Sequence, residues 1–141
     1  MSKPKKKYTK KDIPKLEKRV DYWFKRYIRL SRSDSKGLSR CISCNKLLKF
    51  GDKDFHAGHY IPSKKNSSWR WAEANVHPQC FRCNRTLHGN LHEFRAGLDR
   101  EAEKFLFNNR DHMVEYTVDD LIHFISYYKD LCKKHEAKKE L

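Results

Sequence analysis

Two Cys-x-x-Cys pairs constrain this chain more than any other feature. Cys41 and Cys44 sit in "CISC", Cys80 and Cys83 in "CFRC", and 35 residues separate the pairs. Two intervening residues let both sulfurs of a pair reach one ion, and four thiolates complete the tetrahedron that Zn²⁺ prefers. The expectation is a structural zinc site with no position open for chemistry. Such a site ties together the ends of a long loop and adds cohesion that a small core lacks. Cysteines in this pattern point to metal ligation in a reducing compartment rather than to disulfides. Cys132 falls on an apolar helical stripe and reads as a small buried hydrophobe.

The charge is the second constraint. The 141 residues carry a formal net charge of +14, which favours a polyanionic partner. It is unevenly spread: residues 1–40 hold 15 Lys/Arg against 4 Asp/Glu, and the remainder 17 against 14. Lys25, Arg26 and Arg29 lie on a predicted helix in that basic third and are candidate DNA contacts. No apolar run approaches the ~20 residues of a membrane span, and no apolar segment follows the basic start as a signal peptide requires. The expectation is a cytoplasmic protein without a membrane partner.

The pattern along the chain predicts an α+β, mainly α fold. Residues 1–11 read as a basic flexible arm and 12–141 as one domain. Within it a basic helix spans 12–31, a four-cysteine core 40–90, and C-terminal helices 91–136. Asp12 and Pro14 mark the start of the first helix, whose stripe is Leu16, Val20, Trp23, Phe24, Tyr27 and Leu30. Strands are expected near 55–61 and 74–78, with a loop at 45–54 and a short helix starting around Cys80. Gly97 is expected to bend the helical region after "GN". Thr117 and Asp120 form a capping-box pattern for the last helix, and the tail "KKHEAKKEL" is expected to fray.

Between and beside the cysteine pairs lies a second constellation, "GHYIP…NVHPQCFRCN". His59 precedes Pro62 at a strand end, Asn75 lies five residues before Cys80, and Asn84 directly follows Cys83. Together these residues resemble the HNH nuclease motif in the version with Asn as its third member. The resemblance implies a zinc-stapled ββα-metal (HNH/His-Me finger) core. Phosphodiester hydrolysis needs a base, and a neutral imidazole suits that near pH 7. It also needs a hard cation on the phosphate and the leaving 3′ oxygen. On this reading His59 is the base, Asn84 offers a side-chain oxygen to Mg²⁺ or Mn²⁺, and Asn75 binds backbone across the hairpin and orients His59. Many such sites place Asp directly before the base, where this chain has Gly58. His56 is the candidate second ligand, its ring reaching over Gly58, and that softer donor would favour Mn²⁺.

A narrower match covers residues 20 to 136. "RCISCN", "AGHY", "RWAEANVHPQCFRCN", "GNLHEFR" and "YTVDDL" resemble the phage NinG (Rap) recombination family. That resemblance implies a structure-selective endonuclease on branched DNA, including Holliday junctions, splayed-arm and displaced-strand intermediates. It implies no small-molecule substrate. The family commonly carries Asp where this chain has His56, which leaves the second metal ligand open. Two incisions on a nearly two-fold junction favour a homodimer.

Further basic residues are candidate DNA contacts: Arg70 in "SSWRW", Arg95 after "GN", and Lys64 and Lys65 after Pro62. Trp71 is expected in the core, and Trp69 open for base stacking. His88 and His92 read as ordinary surface residues. Two other functions fit part of the pattern. A non-catalytic zinc-finger protein explains the charge and cysteines but not His59, Asn75 and Asn84. A sequence-specific HNH nuclease fits the site, yet the short chain has no separate recognition domain.

Overall fold

A computed structural model describes residues 7–141. Most of the expected basic arm, residues 1–6, lies outside the described residues. A short 3-10 turn at Lys10–Asp12 leads into the first helix, α1, Ile13–Ser31. Asp12 does not cap α1 through its side chain. Its carboxylate turns back to accept the Thr9 backbone N–H at 2.8 Å.

Two small antiparallel sheets follow. Strands β1 (Leu38–Arg40) and β2 (Leu47–Lys49) flank the first cysteine pair, and β2 lies inside the 45–54 stretch expected to be loop. Three residues per strand are too few for alternation to show in the sequence. Strands β3 (Phe55–His59) and β4 (Val76–Cys80) form the second sheet, with His56 opposite Gln79, Gly58 opposite His77 and His59 opposite Val76. β4 starts two residues later than the sequence suggested, so Cys80 ends a strand rather than opening a helix. A π-helical turn, Arg82–Thr86, then carries Cys83 and Asn84.

Helices α2 (Leu91–Gly97), α3 (Arg100–Asn108) and α4 (Val118–Ala137) complete the chain. Gly97 is required for close packing rather than for flexibility. A Cβ there would meet the Ile42 carbonyl oxygen at 2.6 Å. The capping box forms as expected: Thr117 Oγ1 accepts from Asp120 N–H at 3.1 Å, and the Asp120 carboxylate from Thr117 N–H at 2.9 Å. The tail does not fray. Glu140 N–H donates to the Ser35 carbonyl at 2.7 Å, and Lys139 Nζ to the Ser33 carbonyl at 2.9 Å.

The apolar stripe of α1 forms the main core, with Ile28 added to it. Leu16, Val20, Phe24 and Ile28 of α1 pack with Ala57 of β3, Val76 of β4, Trp71, and Leu121, Ile125 and Tyr128 of α4. Helix α1 therefore lies between the β3–β4 hairpin and α4. A second cluster gathers Leu48 and Phe55 around the cysteines, and a third joins Tyr60 and Ile61 to Phe94 and Leu106. The result is an α+β fold in which helices outweigh two short sheets.

Candidate active site

The four cysteines converge. The Sγ atoms of Cys41, Cys44, Cys80 and Cys83 all lie within 4.8 Å of one another, and Cys44 Sγ stands 3.7 Å from Cys80 Sγ. Thiolates about 2.3 Å from a central zinc in a tetrahedron stand about 3.8 Å apart, so the donor set fits that ion. Burial pushes the Cys80 thiol up and the Cys83 thiol up to about 12. Holding them as thiolates in this apolar surround needs a cation, and a zinc ion would supply it. Asn90 Nδ2 and the Cys83 N–H, donating to Cys83 Sγ and Cys80 Sγ at 3.4 Å each, further favour the thiolate.

His59 stands at the end of β3. Its Nε2 lies 2.8 Å from the Arg70 carbonyl oxygen. A carbonyl can only accept, so Nε2 carries the proton and Nδ1 keeps its lone pair. Burial, assisted by the charges of Lys25 and Arg70, holds His59 below the ordinary imidazole value. The ring is therefore neutral at pH 7 with a free basic nitrogen.

Asn75 is fully buried and makes only backbone contacts. Its Oδ1 accepts the Ile61 N–H at 2.7 Å, and its Nδ2 donates to the Ile61 and Trp69 carbonyls at 3.0 and 2.9 Å. It joins the end of the hairpin to the loop that supplies the carbonyl for His59.

Asn84 and His56 also meet. Asn84 Nδ2 donates to His56 Nδ1 at 2.9 Å, and His56 Nε2 donates to the Lys53 carbonyl at 3.0 Å. Burial, together with Arg85 and Arg29, lowers the His56 pKa. Donors about 2.1 Å from a small octahedral cation stand about 3 Å apart at adjacent positions. After rotation of its amide, Asn84 could therefore share an ion with His56 Nδ1. The set is neutral, one imidazole nitrogen and one amide oxygen.

The ring of His56 does not reach over Gly58 as expected. That space belongs to Gln79, whose Oε1 would sit 1.9 Å from a Cβ built on Gly58. Gln79 is fully buried, and its Nε2 donates to Ser43 Oγ at 2.9 Å and the Gly89 carbonyl at 2.6 Å. The amide thus links the cysteine knuckle to β3 and to the turn before α2. Restoring an acidic residue by Gly58→Asp is accordingly expected to damage the protein. Expelling Gln79 should cost about 3 kcal/mol of stability through overpacking and lost hydrogen bonds. Thermal unfolding would measure it, and a Gly58→Asp protein as stable as wild type would refute this reading of Gly58.

His59 and Asn84 line one cleft with Lys25, Ala57, Pro62, Arg85 and His88. An adjoining cleft shares Lys25, Ala57, Asn84 and Arg85 and adds His56 and Arg29. Each encloses about 290 Å³, and neither is lined by a carboxylate. Arg29 is half-buried, and among the described residues it has no acidic partner. A desolvated guanidinium without a counter-ion is a ready anion site.

The other candidates separate. Lys25 and Arg29 face the clefts, one helical turn apart on α1. Arg26 does not: its Nε donates to Glu136 of α4 at 2.9 Å and its guanidinium lies over Phe50 at 5.0 Å. Arg70 is held by Glu17 and Asp21 at 2.8 Å each, with a side chain only 15% exposed. That position does not suit a phosphate contact. Lys64 and Lys65 are exposed just beyond Pro62. Arg95 is exposed next to the buried Glu103, at 3.2 Å, in a separate basic pocket with His92, Arg100 and Lys104. Trp71 is in the core, whereas Trp69 is half-buried and donates to the Asn109 carbonyl at 2.8 Å instead of standing open. Sequence reasoning passed over Arg85 and took His88 as ordinary. Adjacency to Asn84 was the signal for Arg85, and His88 had none.

Comparison with known proteins agrees with the motif blocks. Protein ninG of Escherichia phage lambda is 38% identical over 58 residues, covering 41% of this chain and 27% of that protein. The ninG proteins of Escherichia phage 933W and Salmonella phage P22 match over the same lengths. The alignments thus span just over a quarter of these relatives. No solved structure matches the chain. The model of the family described as Bacteriophage Lambda NinG protein matches residues 1–140, and the chain belongs to that family.

Proposed function

We propose that this chain is a metal-dependent, HNH-type endonuclease that hydrolyses phosphodiester bonds in branched DNA. One observation carries the reading: a neutral His59 whose Nε2–H is bound to a carbonyl, leaving Nδ1 as a bare base in a cleft that Lys25 and Arg85 line and no carboxylate does. His59 Nδ1 takes a proton from the attacking water. Lys25, Arg29 and Arg85 hold the phosphate and neutralise charge that builds on it. Asn75 keeps the hairpin and its loop in register and does not touch substrate. A divalent ion on Asn84 Oδ1 and His56 Nδ1 would polarise a phosphate oxygen and stabilise the leaving 3′ oxygen. With no carboxylate among its protein ligands, the site should work better with Mn²⁺ than with Mg²⁺. Zinc on the four cysteines would tie the end of β4 and the Asn84 turn to the knuckle between β1 and β2.

The absence of a carboxylate from the cleft lining favours one second reading, a zinc module that binds branched DNA without cutting it. Matched-sequence linear duplex, splayed-arm and four-way-junction substrates, each with Mg²⁺ or Mn²⁺, separate the two. Cleavage confined to branched substrates and faster with Mn²⁺ is the expected result. Tight junction binding without cleavage under either ion would establish the second reading. Cutting that follows a sequence irrespective of branching would instead make this a sequence-specific nuclease.

A further inference from the structure

We propose that the acidic pair Glu17 and Asp21 on α1 positions His59 through Arg70. The carboxylates fix the guanidinium of Arg70, and the backbone carbonyl of the same residue fixes the imidazole. The consequence for cleavage rests on the nuclease reading above. The consequence for the ring of His59 does not.

The carbonyl that sets the His59 tautomer belongs to the loop between β3 and β4, outside any strand. A loop carbonyl is a poor anchor unless the loop is held. Ser68 and Trp69 are tied to His112 and Asn109, and α1 holds Arg70 itself. Arg70 Nη1 donates to Glu17 Oε2 at 2.8 Å, while Nη2 and Nε donate to the two Asp21 oxygens at 2.8 and 3.2 Å. The two-point contact with Asp21 fixes direction as well as distance. Trp71 Nε1 adds a bond to Asp21 at 2.9 Å, and Asn75 Nδ2 holds the Trp69 carbonyl at 2.9 Å. The three residues that frame the carbonyl are therefore each restrained.

A largely buried ion cluster is a costly way to join a loop to a helix, because desolvation cancels most of its attraction. An apolar contact would give equal cohesion without that penalty, but it would not set the rotation of the loop. Orientation is what the guanidinium fork adds. Glu17, Asp21, Lys25 and Arg29 also recur every four residues, so they share one face of α1. The first two hold the loop behind His59, and the last two line the clefts. One rigid helix thus references the base and the phosphate contacts to each other.

The test is the ¹⁵N spectrum of the His59 ring in the full zinc-loaded chain, without DNA or a second metal. Wild type is expected to show the Nε2–H tautomer with a slowly exchanging ring proton. In Asp21→Asn that proton should exchange fast and the tautomers mix. Single-turnover cleavage should fall about 10- to 100-fold, the scale for losing a partner that orients a histidine. Arg70→Lys keeps the charge but reaches one carboxylate, and should recover part of both signals relative to Arg70→Met. If Asp21→Asn does not fold, Glu17→Gln and Arg70→Lys carry the same comparison. A His59 ring unchanged from wild type in folded variants overturns the proposal, even if cleavage falls. If wild type cuts nothing, the nuclease reading fails while the ring signal still decides the positioning role.

Discussion

Stripping the metal from the four cysteines is expected to unfold the β1–β2 knuckle and the turn that carries Asn84 while leaving the two long helices largely in place. The cluster around Cys41, Cys80 and Cys83 adds only Leu48, Phe55 and part of Phe50. That is too little apolar surface to order the β1–β2 knuckle and the turn after β4 against their conformational entropy, whereas Ala57, Trp71 and Val76 have the main core behind them. Zinc bound by cysteine-rich modules contributes apparent free energies of about 10–16 kcal/mol, so its loss should dominate every single-residue effect. Helices α1 and α4 pack directly on each other through Phe24, Leu121, Ile125 and Tyr128. They do not depend on the knuckle.

A strong chelator should therefore preserve most helical circular dichroism and abolish hydrogen-exchange protection in β1 and β2, at the Cys80 end of β4 and in the turn that carries Asn84. Cleavage should vanish with it, because Asn84 follows a metal ligand directly and Gln79 ties the knuckle to β3. Cys80→Ser should give a milder form of the same defect. Unchanged exchange protection after complete metal removal would contradict the structural role assigned to the cysteines.

What the sequence revealed and what it hid divide along contact range. The cysteine pairs, His59 with Pro62, Asn75 and Asn84 were legible because each belongs to a compact pattern whose spacing has a chemical reason. The Thr117–Asp120 cap was legible for the same cause. Arg70 was misread because its partners lie 49 and 53 residues upstream. From the sequence an arginine between two tryptophans looks free. Gln79 carried no signal at all, yet it decides why Gly58 must be glycine. The buried face of α1 is wider than its apolar stripe, because Glu17 and Ile28 extend it along one flank. Arg26 and Arg29 look equivalent on a helical wheel, and only packing shows one against Glu136 and the other beside Asn84.

Replacing the base should have the largest catalytic effect. His59→Ala removes the only group in the clefts with a free, neutral basic nitrogen oriented by a hydrogen bond, and general-base catalysis contributes about 10²- to 10⁴-fold. The pH dependence follows from the environment. Lys25 from α1, Arg70 from the loop, and burial favour the neutral ring, while Asp21 and the Arg70 carbonyl oppose them, and the balance lies below the ordinary value. Protonation therefore disables His59 only on the acid side of about 6.5. The wild-type rate should fall as pH drops through that limb and stay level above pH 7.

The most direct test of the account is single-turnover cleavage of a four-way junction by wild type and His59→Ala with Mn²⁺ present, with junction affinity measured alongside. A loss of at least about 100-fold in rate, with affinity unchanged and the acid limb gone, is the result expected of a base. Equal rates in the two proteins, or a wild-type rate still climbing above pH 8, would mean that His59 does not take the proton.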